Sequence, residues 1–170
     1  MSRTSANRRG NTAGQYSFAA APSVQIPRST FDRSCGVKTA FDGGYLVPIF
    51  VDEALPGDTM NLQVSAFCRM STPIYPVLDN LFLDLFFFAV PNRLVWDNWE
   101  KFNGAQDDPG DSTSFTVPTM TQTTISAEDL SDYLGLPVGI GLNLEFNSLH
   151  HRAYNLIWNE WFRDENLGGS

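Results

Sequence analysis

The chain has 170 residues, of which 42% are apolar and 18% charged, too apolar for a disordered chain and too mixed for a membrane protein. A domain of this length buries about 70% of its unfolded surface, so a core is feasible. The longest apolar run, 85–90, is far short of a membrane span, and the N-terminal arginines lack the apolar stretch of a signal peptide. Two cysteines, Cys35 and Cys68, are too few and too far apart for a disulfide scaffold or a zinc site and read as reduced thiols.

The formal net charge of -8 is unevenly spread. Residues 1–38 carry Arg3, Arg8, Arg9, Arg28, Arg33 and Lys38 against Asp32, a local +5, and the remainder carries -13. An acidic body is soluble and repels nucleic acid, while a basic arm can touch polyanions locally.

Residues 1–21, rich in Ser, Asn, Gly, Ala and Arg, read as a basic flexible N-terminal arm, and 22–170 as the folded part. Beyond Val24 the texture changes to short apolar runs broken by Pro and Gly. Tyr45 to Val51 reads as a strand with Pro48 marking an edge or bulge, and Leu55-Pro56-Gly57-Asp58 as a tight turn. Met60, Leu62, Val64, Ala66, Cys68 and Met70 alternate with a mostly polar set, which predicts a half-buried strand. Asn80 to Val90 reads as a second long strand, apolar at nearly every position except Asp84, so it requires cover on both faces. An isolated chain of this length would struggle to supply both covers, which points to another subunit or to further chain.

Pro91-Asn92-Arg93 ends that strand, and Leu94 to Phe102 reads as a short helix stopped by Asn103-Gly104. Residues 103–125 form a loop carrying at most one short strand. Ser126 with Asp129 fits an N-cap, and Gly135 then Pro137 end the helix that follows. The longest predicted helix spans 147–166, capped by Asn147. Leu149, Ala153, Leu156, Ile157 and Trp161 form its apolar stripe, with Tyr154, Trp158 and Phe162 beside it.

Motifs for chemistry are sparse. The only histidines, His150 and His151, are adjacent on a helix and point about 100° apart, so they cannot share a metal ion by themselves. Gly139-Ile140-Gly141 lacks the third glycine of a dinucleotide loop. Asp107, Asp108 and Asp111 lack the twelve-residue calcium pattern and its closing glutamate. The remaining carboxylates are scattered and give a two-carboxylate glycosidase no support. Trp96 and Trp99, and Trp158 and Trp161, stand three apart, as core or interface anchors do. Tyr154, Phe162 and these four tryptophans are the candidate assembly-interface residues. No cofactor is expected. The alternative from the residues alone is a β-sandwich module binding carbohydrate or another ligand through exposed tryptophans.

Several segments converge on one family. Leu55-Pro56-Gly57-Asp58-Thr59, the run from Phe82 to Pro91, and Pro91-Asn92-Arg93-Leu94-Val95-Trp96-Asp97-Asn98-Trp99 are similar to the major capsid protein of microviruses (Microviridae). Tyr133-Leu134-Gly135-Leu136-Pro137 and the stretch from Arg152 to Leu167 extend the resemblance. Pro48-Ile49-Phe50-Val51 with Glu53 is most like the gokushovirus branch.

The resemblance implies a mainly β fold, a viral jelly-roll β-barrel with inserted helices and long loops. It implies a structural subunit, not an enzyme, of a T=1 icosahedral bacteriophage capsid enclosing single-stranded DNA. Copies of the chain would be its own partners in the virion, assembled in the bacterial host cytoplasm, with a scaffolding protein and a small basic DNA-binding protein alongside and no membrane. Arg3, Arg8 and Arg9 become candidate nucleic-acid contacts. Members of the family are several times longer, so the expectation is an N-terminal portion or a truncated product whose barrel cannot close from these residues alone.

Overall fold

A computed structural model describes residues 26–166. The expected arm 1–21, with Arg3, Arg8 and Arg9, lies outside the described residues, as do 167–170. The described chain falls into two units, 26–36 and 37–166. The first has no helix or strand. Its local order is a turn in which the Asp32 carboxylate accepts from the Ser34 hydroxyl and, at 2.9 Å, from the Ser34 N–H. Those two bonds hold the Asp32 carboxyl below its usual range.

The organising element of 37–166 is an antiparallel ribbon of β1 (Thr119–Ile125) and β2 (Gly139–Asn147). The β-branched run of β1 suits a pleated surface, and Ile140, Leu142, Leu144 and Phe146 alternate along β2. Met120 pairs with Phe146 and Gln122 with Leu144, and these four form the half-buried face. Thr119 and Glu145 face away, and the Thr119 hydroxyl donates to Glu145 Oε1 at 2.8 Å. Between Gln122 and Thr124 the register shifts, so that Gly141 to Asn143 stand opposite Thr123. Gly141 at φ 71° and Asn143 at φ 43° take the left-handed conformations of this bulge.

The β1–β2 connection holds α2 (Leu130–Tyr133), with Asp129 at its N-cap. Ser126 and Asp129 do pair, since the Ser126 N–H donates to Asp129 Oδ2 at 2.8 Å. The helix nevertheless starts four residues later than Ser126, because Glu128 sits at φ 69° and breaks the helical path. Gly135, at φ 92°, ends it as expected: its N–H meets Asp132 O and the Leu136 N–H reaches back to Ser131 O.

Helix α3 (Leu149–Ile157) begins where β2 ends. The Asn147 side chain accepts from the Leu149 N–H at 2.8 Å, the expected cap. The Ser148 N–H and hydroxyl both donate to Pro118 O, at 3.0 and 2.9 Å, fastening the start of α3 to the start of β1. The predicted helix over 147–166 is corrected at its C-terminal end. After Ile157 the backbone widens into a π-helical turn, Trp158–Phe162, closed by Arg163 N–H to Trp158 O at 2.8 Å. The wider turn reduces the angle between successive side chains and lets both Trp161 and Phe162 reach Phe88.

Two further expectations are corrected. The helix expected over 94–102 is split into a single 3-10 turn, Asn92–Leu94, and α1 (Trp99–Phe102). The intervening Asp97 and Asn98 favour turns over helix. The strands expected at 45–51, 60–70 and 80–90 carry no sheet pairing among the described residues. A strand exists only with a partner strand for its N–H and C=O groups, and among the described residues these stretches have none. The turn 55–58 forms as expected, with Asp58 N–H on Leu55 O at 3.0 Å and Leu55 N–H on Asp58 Oδ2 at 2.9 Å.

The buried apolar side chains among the described residues are Trp96, Ile125 and Leu149. A Cβ built on Gly135 meets no atom within 4 Å, so Gly135→Ala isolates the backbone cost of the left-handed cap. It is expected to lower the unfolding free energy by about 1–2 kcal/mol, read from urea denaturation followed by circular dichroism.

Candidate functional site

The irregular segment 40–53 is pinned to the helices by three side chains. The Tyr133 hydroxyl donates to Ala40 O at 3.1 Å, and the Tyr154 hydroxyl to Leu46 O at 2.8 Å. His150 Nε2 stands 3.5 Å from Glu53 Oε1. Burial raises the Tyr154 phenol above its usual range, so it stays a donor at neutral pH. Arg152 reaches in another direction and donates to Val95 O at 3.1 Å.

Two aromatic clusters hold Trp96, Trp99, Trp161 and Phe162 of the six predicted interface residues. Trp96 packs edge-on against Trp99 at 6.1 Å and tilted against Phe102 at 5.3 Å, and is already buried within the chain. The second cluster joins the apolar run to the π turn. Phe86 meets Phe162 at 5.4 Å, and Phe88 meets Trp161 at 5.8 Å and Phe162 at 6.1 Å. This cluster is open: Trp161 is 73% exposed and Phe162 is also exposed, as is Trp158 at the start of the same π turn. It continues into Leu81, Phe82, Leu83, Leu85 and Phe87, all exposed, Phe82 at 85%. A soluble surface rarely leaves so continuous an apolar patch uncovered unless it is a contact surface.

The most buried polar group is a junction that sequence reasoning did not single out. Ser131, 3% exposed, donates its hydroxyl proton to Gln122 Oε1 at 2.6 Å. Its oxygen lies 3.0 Å from His151 Nε2. The hydroxyl has one proton and Gln122 Oε1 can only accept, so Nε2 carries a proton and donates to Ser131. His151 Nδ1 is then a bare lone pair, buried and without a partner. This is not a nucleophilic dyad, because the histidine nitrogen facing the serine is already protonated and no carboxylate orients the ring.

Burial, then the neighbouring His150, lowers the His151 pKa from its ordinary value. The Phe146 ring, 5.1 Å away, offers a cation about 0.5–1 kcal/mol. That is less than the roughly 1–3 kcal/mol cost of a buried unpaired N–H, so the neutral form wins.

The remaining motifs resolve simply. His150 and His151 point apart, one half-exposed and one packed, as helical geometry requires. No group of three or more metal-ligand side chains occurs among the described residues. Asp111 Oδ2 is occupied by the N–H groups of Asp107 and Asp108, both at 3.2 Å, which makes the acidic stretch a self-closed turn. Cys35 and Cys68 are free and exposed. No helix among the described residues is long and apolar enough to cross a membrane.

The model of the capsid protein (F protein) family matches residues 19–170. The chain is 53% identical over 162 residues to capsid protein VP1 of Bdellovibrio phage phiMH2K, covering 94% of this chain and 30% of that protein. It is 48% identical to capsid protein VP1 of Chlamydia phage 1, over 88% of this chain and 26% of the relative. Capsid protein VP1 of Spiroplasma virus 4 is 33% identical, over 89% and 28% respectively. The chain therefore spans less than a third of the length of these curated relatives. None of the three supports the carbohydrate-module reading.

Replacing Ser131 by Ala leaves Gln122 Oε1 and the His151 Nε2–H without their shared partner. The variant is expected to lose about 1–3 kcal/mol of stability in chemical denaturation, with no comparable loss for Ser114→Ala on the exposed loop.

Proposed function

The chain belongs to the capsid protein (F protein) family, and from that membership we propose that it forms part of a coat subunit that assembles with copies of itself into a phage shell. The observation that carries the reading is the uncovered apolar surface from Leu81 to Phe87, continuous with Trp161 and Phe162. Assembly is burial: interfaces of the obligate class exceed about 2,000 Å² and are rich in such anchors. Trp158, Trp161 and Phe162 present the contact surface, Tyr154 holds their helix to segment 40–53, and the buried Trp96 with Trp99 supports the turn beside it.

The finer reading is a mainly β subunit whose unpaired stretches at 45–51, 60–70 and 80–90 become strands of a jelly-roll barrel. Their partners come from further chain or from neighbouring subunits. The shell is a T=1 icosahedron enclosing single-stranded DNA, with Arg3, Arg8 and Arg9 on the interior side. A scaffolding protein and a small basic DNA-binding protein assist in the host cytoplasm, and the subunit performs no catalysis. Support for this part is the resemblance to microvirus coat proteins and the charge split between arm and body.

Sedimentation velocity on the natural gene product, with its intact mass measured, tests the reading. A uniform megadalton species is the expected result; a small monomer alone would overturn it. In that preparation Trp161→Ala is expected to cut particle yield several-fold, as loss of a hot-spot aromatic does, while monomer circular dichroism is unchanged. Changing Arg8 and Arg9 to Ser is expected to lower the packaged DNA per particle, read as the 260/280 nm absorbance ratio, with particle yield retained.

A further inference from the structure

We propose that the junction of Gln122, Ser131 and His151 is an acid-labile latch: a proton taken up at His151 Nδ1 opens the packing of α3 against the β1–β2 ribbon. Two elements meet at this ring: α2 contributes Ser131 and β2 the Phe146 ring at 5.1 Å. β1 joins through Gln122, which accepts the Ser131 hydroxyl proton. Nε2 already donates to Ser131, so an added proton must sit on Nδ1. That atom is the one buried side-chain nitrogen or oxygen among the described residues without a hydrogen-bond partner. A charged imidazole there finds no acceptor among the described side chains around it unless α3 moves.

The charged groups around the ring do not offer compensation. On α2 and its cap, the Asp129 and Asp132 carboxylates accept from the N–H groups of Ser126 and Glu128. On β2, Glu145 faces the opposite side of the ribbon and accepts from Thr119. On α3 itself, His150 turns to Glu53 and Arg152 to Val95 O. Proton linkage gives the direction. A histidine held below its ordinary value contributes stability that is complete above about pH 6.5, the unfolded value. That contribution declines as the pH falls through 6.5 toward the folded value. Because α3 leads directly into Trp158–Phe162, opening the latch also loosens the proposed contact surface; this consequence rests on the capsid reading, whereas the latch does not.

The test is amide hydrogen exchange of Arg152 to Ile157 in the full chain at pH 7.5 and pH 5, corrected for intrinsic exchange. Wild-type protection is expected to fall at pH 5, by at most about thirtyfold, the ceiling set by an unfolded value of about 6.5. His151→Gln keeps an N–H for Ser131 and does not titrate, so the fall is expected to vanish; His150→Gln should retain it. Equal wild-type protection at both pH values, or an unchanged fall in His151→Gln, overturns the latch. So does a fall abolished by His150→Gln alone, which would place the effect at Glu53. Should His151→Gln not fold, the wild-type His151 imidazole resonances decide. A midpoint below 6.5 with α3 amides shifting in step supports the latch, and a midpoint at or above 6.5 overturns it. None of these readouts requires shells, so a failure of assembly leaves them interpretable.

Discussion

A single hydroxyl, that of Ser131, ties β1, α2 and α3 together. Its proton goes to Gln122 on β1 and its lone pair to His151 on α3, while its backbone carbonyl closes the cap of α2. Directional bonds carry this weight because apolar burial does not: Trp96, Ile125 and Leu149 are the buried apolar side chains among the described residues. The neighbouring fastenings are of the same kind, Ser148 to Pro118, Tyr154 to Leu46 and Tyr133 to Ala40. Each such bond is worth about 0.5–1.5 kcal/mol net, so the fold depends on their all being satisfied together.

What could be read in the sequence was what is decided within a few residues. The turn at Leu55 to Asp58, the stop at Gly135 and the cap at Asn147 each need only local chemistry, and each formed. Helix length was less legible, since the π turn that follows α3 packs on Phe86 and Phe88, far away in the chain. Pairing was least legible. The alternation from Met60 to Met70 is a statement about faces, and whether a ladder forms depends on a partner the pattern does not contain. β2 carries an alternation at Ile140, Leu142, Leu144 and Phe146, but Gly139, Gly141 and Asn143, poor strand formers, interrupt it. The junction carried almost no signal: Gln122, Ser131 and His151 are ordinary polar residues until a ribbon and two helices bring them together.

The apolar run at 81–87 also has to avoid unwanted association. Asp84 sits within it as a charge that penalises stacking of identical segments. The acidic body works in the same direction, since like-charged copies repel over a range set by salt, about 8–10 Å under ordinary conditions. Exposed apolar surface and like charge therefore act in opposite directions, and the repulsion weakens as ionic strength rises.

The clasp of Ser148 on Pro118 has a consequence for the order in which the molecule forms. It closes a stretch of chain that contains β1, α2 and β2, and every contact inside it is short in sequence. By contrast, Tyr154 reaches Leu46 across 108 positions. Loop-closure entropy favours the near contacts first, so the ribbon and its two helices assemble as one early unit. Segment 40–53 joins later, and it is also the piece that can leave first without undoing the rest.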